Sequence, residues 1–186
     1  FKRTPQADQT AIFLISQEGD QGRQAKESGI CDAYIVPPFK TDLLLRRIEN
    51  LCDRQTEKSW IELPAELRQP LQITRRNIQQ IGRDVAATGK MNADNVRACG
   101  TAIVRAAREG SVPALLDVLR QHHNHSYVHS VKTSALLTLF GVHLKLKATD
   151  LEILSEGGLL HDIGKVLVDP KILDKRDKLN ESEWEQ

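Results

Sequence analysis

Two side chains that commonly bind metal ions stand next to each other near the end of the sequence. His161 and Asp162 follow the apolar pair Leu159 and Leu160 in the stretch LLHDIGK. The pattern of DLEILSEGGLLHDIGK predicts one helix from Asp150 to about His161, which places the pair at a helix end close to the core. A buried carboxylate without a partner is costly, and a metal ion satisfies an imidazole nitrogen and a carboxylate oxygen together. A His-Asp dipeptide taken alone is more often a surface pair or a capped helix end, so further ligands are needed.

Histidines earlier in the chain are candidates for these further ligands. His125 and His129 stand at i and i+4 in HHNHSYVHSV, on one face of a predicted helix. The amphipathic continuation of this helix places an apolar stripe after His129, formed by Val131, Ala135, Leu136 and Leu139. A histidine from one helix and a His-Asp pair from another can form a metal cluster. We interpret His122 and His123 as solvated, and His143 as a surface or packing residue.

The motifs around these residues resemble the HD-GYP family of the HD phosphohydrolase superfamily. The chain carries HSVKT, LLHDIGK and VDPKILDKRDKLNESEW in the order and approximate spacing of that family. It departs from the family pattern at Asp169-Pro170, which is inverted, and at Arg176-Asp177, which stands where the family has Pro-Gly. Neither departure touches a ligand position.

The resemblance implies an all-helical domain with two or three divalent metal ions, usually iron or manganese. It implies His129, His161 and Asp162 as metal ligands, with Asp162 bridging two ions, and His125 as a candidate extra ligand. Lys165 would contact a substrate phosphate, so Asp162 and Lys165 are the predicted catalytic residues. The implied substrate is cyclic di-GMP, cut to linear pGpG and/or GMP in bacterial second-messenger signalling. Two alternatives stay open: a degenerate member that binds a nucleotide or a protein partner without hydrolysis, and another HD-type nucleotide phosphohydrolase.

The pattern of the N-terminal part predicts a strand, a helix, a second strand and a second helix. AIFLIS predicts a buried strand, a helix then ends at Gly29, a second strand spans Ala33–Val36, and TDLLLRRIENLCDRQ predicts an amphipathic helix capped by Thr41. This order predicts a piece of a parallel α/β sheet. Ser16 and DAYIVPPF resemble the second half of a response-regulator receiver domain of two-component signalling. An unrelated α/β piece is the alternative.

Pro37 stands where the receiver family has its phosphoryl-contacting lysine. We therefore expect no phosphorylation switch, and a structural or homodimerising role for this piece through the 41–55 helix. Helical patterns follow, so the predicted fold class is α+β by segment: a partial α/β receiver-like piece and then an all-α HD-type helical domain. The predicted domains are residues 1–56, a helical linker over 57–110, and the N-terminal part of an HD-GYP domain over 111–186.

The amino-acid composition argues against two classes of partner, nucleic acid polymers and membranes. The 26 basic and 25 acidic residues give a net charge of +1, and aromatic residues make up only 4%, which argues against a nucleic acid polymer as partner. No apolar run reaches the roughly 20 residues that a membrane helix needs, so we expect no membrane insertion. Three widely spaced cysteines without a CxxC pair are typical of reduced thiols in the cytoplasm.

The ends of the sequence predict a fragment. The chain begins at Phe1, and its only methionine is Met91. Near the other end, Asn180 and Glu183 have the spacing of a capping box, so a helix is expected to start just before Gln186. We expect these 186 residues alone to bind at most one metal ion weakly, to self-associate, and not to hydrolyse cyclic di-GMP.

Overall fold

The computed structural model describes residues 10–173, 175 and 177–185. These residues form two compact units. Of the described residues, the first unit contains 10–63 together with Val118–His125, and the second contains Pro64–Asp117 together with those from Ser126 onward. The fold is mostly helical with a small parallel sheet.

The first unit contains the predicted strand-helix order. Its elements are β1 (Phe13–Ile15), α1 (Gly19–Glu27), β2 (Ala33–Ile35), α2 (Thr41–Ser59) and a short 3₁₀ helix (Trp60–Glu62). The two strands pair in parallel, with Phe13 opposite Ala33 and Ile15 opposite Ile35. Gly29 follows α1 with φ of 72°, the left-handed conformation that favours glycine after a helix. The parallel α/β piece is therefore confirmed, but the prediction that its first strand is buried is wrong, because no residue of β1 is buried and Ile15 is 57% exposed. The likeness to a receiver domain stays a prediction.

The predicted Thr41 cap is wrong. The helix α2 begins at Thr41 itself, and Lys40 occupies the N-cap position in extended conformation without a side-chain cap. The Lys40 carbonyl accepts hydrogen bonds from the backbone N–H groups of Leu43 and Leu44. The first helical turn thus starts one residue earlier than a capping hydroxyl at Thr41 would require.

The prediction that His122 is solvated is also wrong. Its side chain is fully buried in the first unit, with Nε2 2.9 Å from Glu57 Oε1 and Nδ1 3.3 Å from Asp53 Oδ1. Asp53 and Glu57 lie one turn apart on α2, so they present two carboxylates on one face. His123 keeps a half-exposed side chain, as predicted, while its backbone N–H donates to Asp53 Oδ1 at 2.5 Å.

The remaining helices follow in chain order. They are α3 (Ala65–Thr88), α4 (Ala93–Arg108), α5 (Val112–Leu119), α6 (His125–His143), α7 (Ala148–Leu160), a 3₁₀ helix (Ile163–Leu167), α8 (Pro170–Leu173) and α9 (Glu181–Trp184). The predicted capping box is present at α9, where the Asn180 side chain accepts from the Glu183 N–H and the Glu183 carboxylate accepts from the Asn180 N–H. No helix among the described residues is long and apolar enough to cross a bilayer.

Apolar packing in the second unit anchors the end of α7. Leu160 and Ile163 pack against a cluster formed by Ile81 and Val85 of α3 and Val96 of α4. His161 and Asp162 lie between these two anchors, so burial of their neighbours fixes where the two polar side chains emerge. The predicted helix up to about His161 is confirmed, because α7 ends at Leu160 with His161 as its C-cap.

The apolar stripe predicted on α6 is only partly correct. Val131 and Ala135 are buried, but Leu136 is 44% exposed. The buried face of α6 also contains Ser134 and Thr138, both with no exposed surface. Small residues line this face because the neighbouring helix α7 approaches closely there, and the larger leucine points elsewhere.

Candidate metal centre

Three predicted ligands meet in the second unit. His129 projects from the second turn of α6, His161 caps α7, and Asp162 follows it. The two Nε2 atoms lie 2.9 Å apart, and Asp162 Oδ2 lies 3.5 Å from His129 Nε2 and 3.4 Å from His161 Nε2. One ligand atom from each residue lies within 4.8 Å of the others.

The spacing of these atoms fits a shared cation. For an ion bound at about 2.1 Å, two ligand atoms lie roughly 3.0 Å apart at a right angle and roughly 3.4 Å apart at a tetrahedral angle. The three observed separations of 2.9, 3.4 and 3.5 Å match such edges. Two imidazole nitrogens and one carboxylate oxygen are a donor set that suits iron, manganese or zinc. Three ligands can hold one ion, and a second ion needs further ligands.

The backbone sets the orientation of the His161 ring. His161 Nδ1 lies 2.9 Å from the carbonyl oxygen of Gly158, one turn earlier on α7. Because a carbonyl can only accept, Nδ1 donates to it, and Nε2 is the ring atom directed toward His129 and Asp162. Metal-binding histidines commonly use such a contact to fix their tautomer.

Asp162 is held in its ionised form. Lys165 Nζ donates to Asp162 Oδ2 at 2.7 Å, and this hydrogen bond is the main reason that the pKa of Asp162 lies below its usual range. Partial burial opposes the effect, while His161, the Lys165 charge and His129 reinforce it. An ionised carboxylate is the form that binds a cation.

The other predicted site residues are placed differently. His125, the first residue of α6, is exposed, and the structure does not bring it into the group of three. Lys165 was assigned to a substrate phosphate, and the structure shows it paired with Asp162. The role of the Gly158 carbonyl was missed, although its i−3 spacing from His161 on one helix is a signal that the sequence contains. The ligand and catalytic roles of these residues stay predictions.

The comparison with known protein families finds a match in the part of the chain that contains this site. Residues 126–186 match the HD domain family. This segment contains all three converging residues and supports a place in the HD superfamily of metal-dependent phosphohydrolases, whose domains bind divalent metal ions. No curated protein and no solved structure matches the chain.

Proposed function

We propose that the HD segment belongs to a metal-dependent phosphodiesterase that hydrolyses cyclic di-GMP to linear pGpG and/or GMP. The observation that carries the proposal is the convergence of His129 Nε2, His161 Nε2 and Asp162 Oδ2 at the spacing of one coordination sphere. The match of residues 126–186 to the HD domain family supports hydrolase chemistry at this site. The cyclic dinucleotide is the finer part of the proposal and rests on the HSVKT and LLHDIGK motifs.

We assign a separate role to each residue at this site. His129, His161 and Asp162 would hold a divalent ion, iron or manganese by resemblance, and that ion would activate water as a nucleophile at neutral pH. Asp162 contributes a carboxylate that Lys165 keeps ionised, and His161 contributes a lone pair whose direction the Gly158 carbonyl fixes. Lys165, 59% exposed, presents a cation beside Asp162, where it can neutralise charge that develops on a phosphoryl oxygen.

Product analysis tests the proposal. The full-length natural protein, loaded with Mn²⁺, is incubated with cyclic di-GMP and, separately, with guanine mononucleotides, and the products are separated by chromatography. We expect pGpG and/or GMP from the cyclic dinucleotide, loss of turnover in His161→Ala and Asp162→Ala, and unchanged turnover in the exposed control His143→Ala.

The alternatives give other results. Cleavage of mononucleotides with the cyclic dinucleotide left intact would identify another HD-type nucleotide phosphohydrolase. Metal binding and nucleotide binding without any cleavage would identify a degenerate member. Failure to bind metal at all would contradict the proposed chemistry as a whole.

A further inference from the structure

The helices α6 and α7 make a very close contact near the candidate metal centre. A Cβ atom added to Gly158 would lie 2.7 Å from Ser134 Cα and 3.0 Å from Ser134 N. Both obstacles are backbone atoms, so no side-chain rotation can relieve the clash. The preceding residue, Gly157, has nothing within 4 Å of its added Cβ. Of these two adjacent glycines, therefore, only Gly158 is required by close packing.

Buried hydroxyl groups fix the same contact. Ser134 Oγ donates to the carbonyl oxygen of Ser155 at 2.7 Å, and Ser155 Oγ donates to the carbonyl oxygen of Gly100 on α4 at 3.3 Å. Both serines have no exposed surface. Hydrogen bonds between buried groups are costly to leave unmade, so α6 and α7 have one preferred separation at this point.

This contact lies close to both histidine ligands. Gly158 precedes His161 by three residues and Ser134 follows His129 by five, which are rises of about 4.5 Å and 7.5 Å along their helices. The Gly158 carbonyl also accepts from His161 Nδ1 at 2.9 Å. A change in the separation of the helices at Gly158 is thus carried to both ligands within two turns.

We propose that Gly158 is a positioning residue for the metal centre: its close contact with Ser134 sets the separation of His129 and His161, and its carbonyl orients the His161 ring. The inference rests on the proposed metal site. Carbon atoms in ordinary contact lie about 3.5–4.0 Å apart, so a methyl group at Gly158 must open the contact by roughly 1 Å. Metal–ligand distances tolerate changes of only about 0.2 Å.

Two single substitutions at adjacent glycines test this role. Gly158→Ala and Gly157→Ala are titrated with Mn²⁺ by calorimetry, beside the wild-type chain, at a temperature where circular dichroism shows all three to be folded. We expect Gly158→Ala to weaken Mn²⁺ binding about tenfold or more, the size of effect typical for residues that orient metal ligands. Gly157→Ala should bind within about twofold of wild type, because its methyl group enters open space.

The titration separates this inference from the proposed function. Wild-type affinity in Gly158→Ala would overturn the positioning role while leaving the metal site in place. No Mn²⁺ binding by the wild-type chain would overturn both. A loss of thermal stability in metal-free Gly158→Ala with unchanged affinity would show a merely structural glycine and also overturn the role. If Gly158→Ala does not fold, the same titration is carried out on Ser134→Ala, which lacks the hydrogen bond to the Ser155 carbonyl oxygen. We expect this variant to bind Mn²⁺ about threefold more weakly than wild type. Unchanged affinity would contradict the proposal.

Discussion

Lys165 Nζ lies 2.7 Å from Asp162 Oδ2, so the ammonium group of Lys165 directly contacts the carboxylate of the candidate metal centre. The i, i+3 spacing across the start of a 3₁₀ helix brings the two groups together. The contact stabilises the charged form of Asp162 and lowers its pKa.

Lys165→Ala should raise the pKa of Asp162 in the metal-free protein toward the ordinary value of about 3.9. The sign follows from the depressed pKa: the contact stabilises the protein above the ordinary pKa, and this contribution is lost as the pH falls through the lower folded value. Carbon-13 NMR titration of the Asp162 carboxyl group measures the shift, with the exposed Lys171→Ala as control. Identical titrations in wild type and Lys165→Ala would exclude the contact. The variant should still bind metal and, in the full-length protein, lose rate or substrate affinity.

The pair of Asp53 and His122 is predicted to be a strong determinant of the stability of the first unit. Asp53→Ala removes the acceptor of the His123 N–H and the carboxylate beside the buried His122 ring, so we expect the free energy of unfolding to fall by about 2 kcal/mol. Urea denaturation measures the change. Asp42→Ala, an exposed acid in the first turn of α2, should cost at most about 1 kcal/mol. Equal effects in the two variants would contradict the buried pair.

The candidate metal centre was largely predictable because its signals are local. His161 and Asp162 are adjacent, the apolar residues around them set the end of α7, and His129 has its own helical pattern. These features need only periodicity along the chain, which a sequence displays directly. The meeting of the two helices at a contact distance of 2.9 Å needed the structure.

The environments that depend on distant partners were not predictable. His122 is buried beside the carboxylates of Asp53 and Glu57, which lie 65 or more residues earlier in the chain. Nothing near His122 in the sequence indicates these two contacts. Leu136 faces outward because α7 approaches α6 at Ser134 and Gly158, where only small residues fit. Periodicity gives the apolar side of a helix, but the size of the residues at a helix contact decides which residues occupy it.

The three cysteines should react with iodoacetamide in a fixed order. Cys52 is partly exposed, whereas Cys31 and Cys99 are buried, and burial raises the pKa of Cys99 to about 12. Burial and the neighbouring Asp32 also raise the pKa of Cys31. Because the thiolate is the reactive form, Cys52 should be labelled first near pH 8 and Cys99 only in urea. Peptide mass spectrometry measures the order, and early labelling of Cys99 in the native protein would contradict its placement.

Self-association through α2 is the prediction for the first unit. Leu45 and Ile48 are 52% and 38% exposed on this helix, whereas Leu44 is partly buried. Leu45→Glu combined with Ile48→Glu should therefore shift the chain toward monomer in sedimentation experiments, because charge is costly in an apolar contact. The control is Arg54→Glu, a charge change at an exposed position of the same helix. An unchanged sedimentation profile in the double variant would exclude this surface.

Metal content tests the central claim most directly. The metal-free 186-residue chain is dialysed to equilibrium against Mn²⁺, and the bound ion is measured by elemental analysis as the excess over the outer solution, beside His129→Ala, His161→Ala, Asp162→Ala and the exposed control His143→Ala. Three converging ligands predict at most one weakly held ion per chain, present in wild type and His143→Ala and lost in the other three variants. Wild-type metal content in both His161→Ala and Asp162→Ala would contradict the assignment of this site.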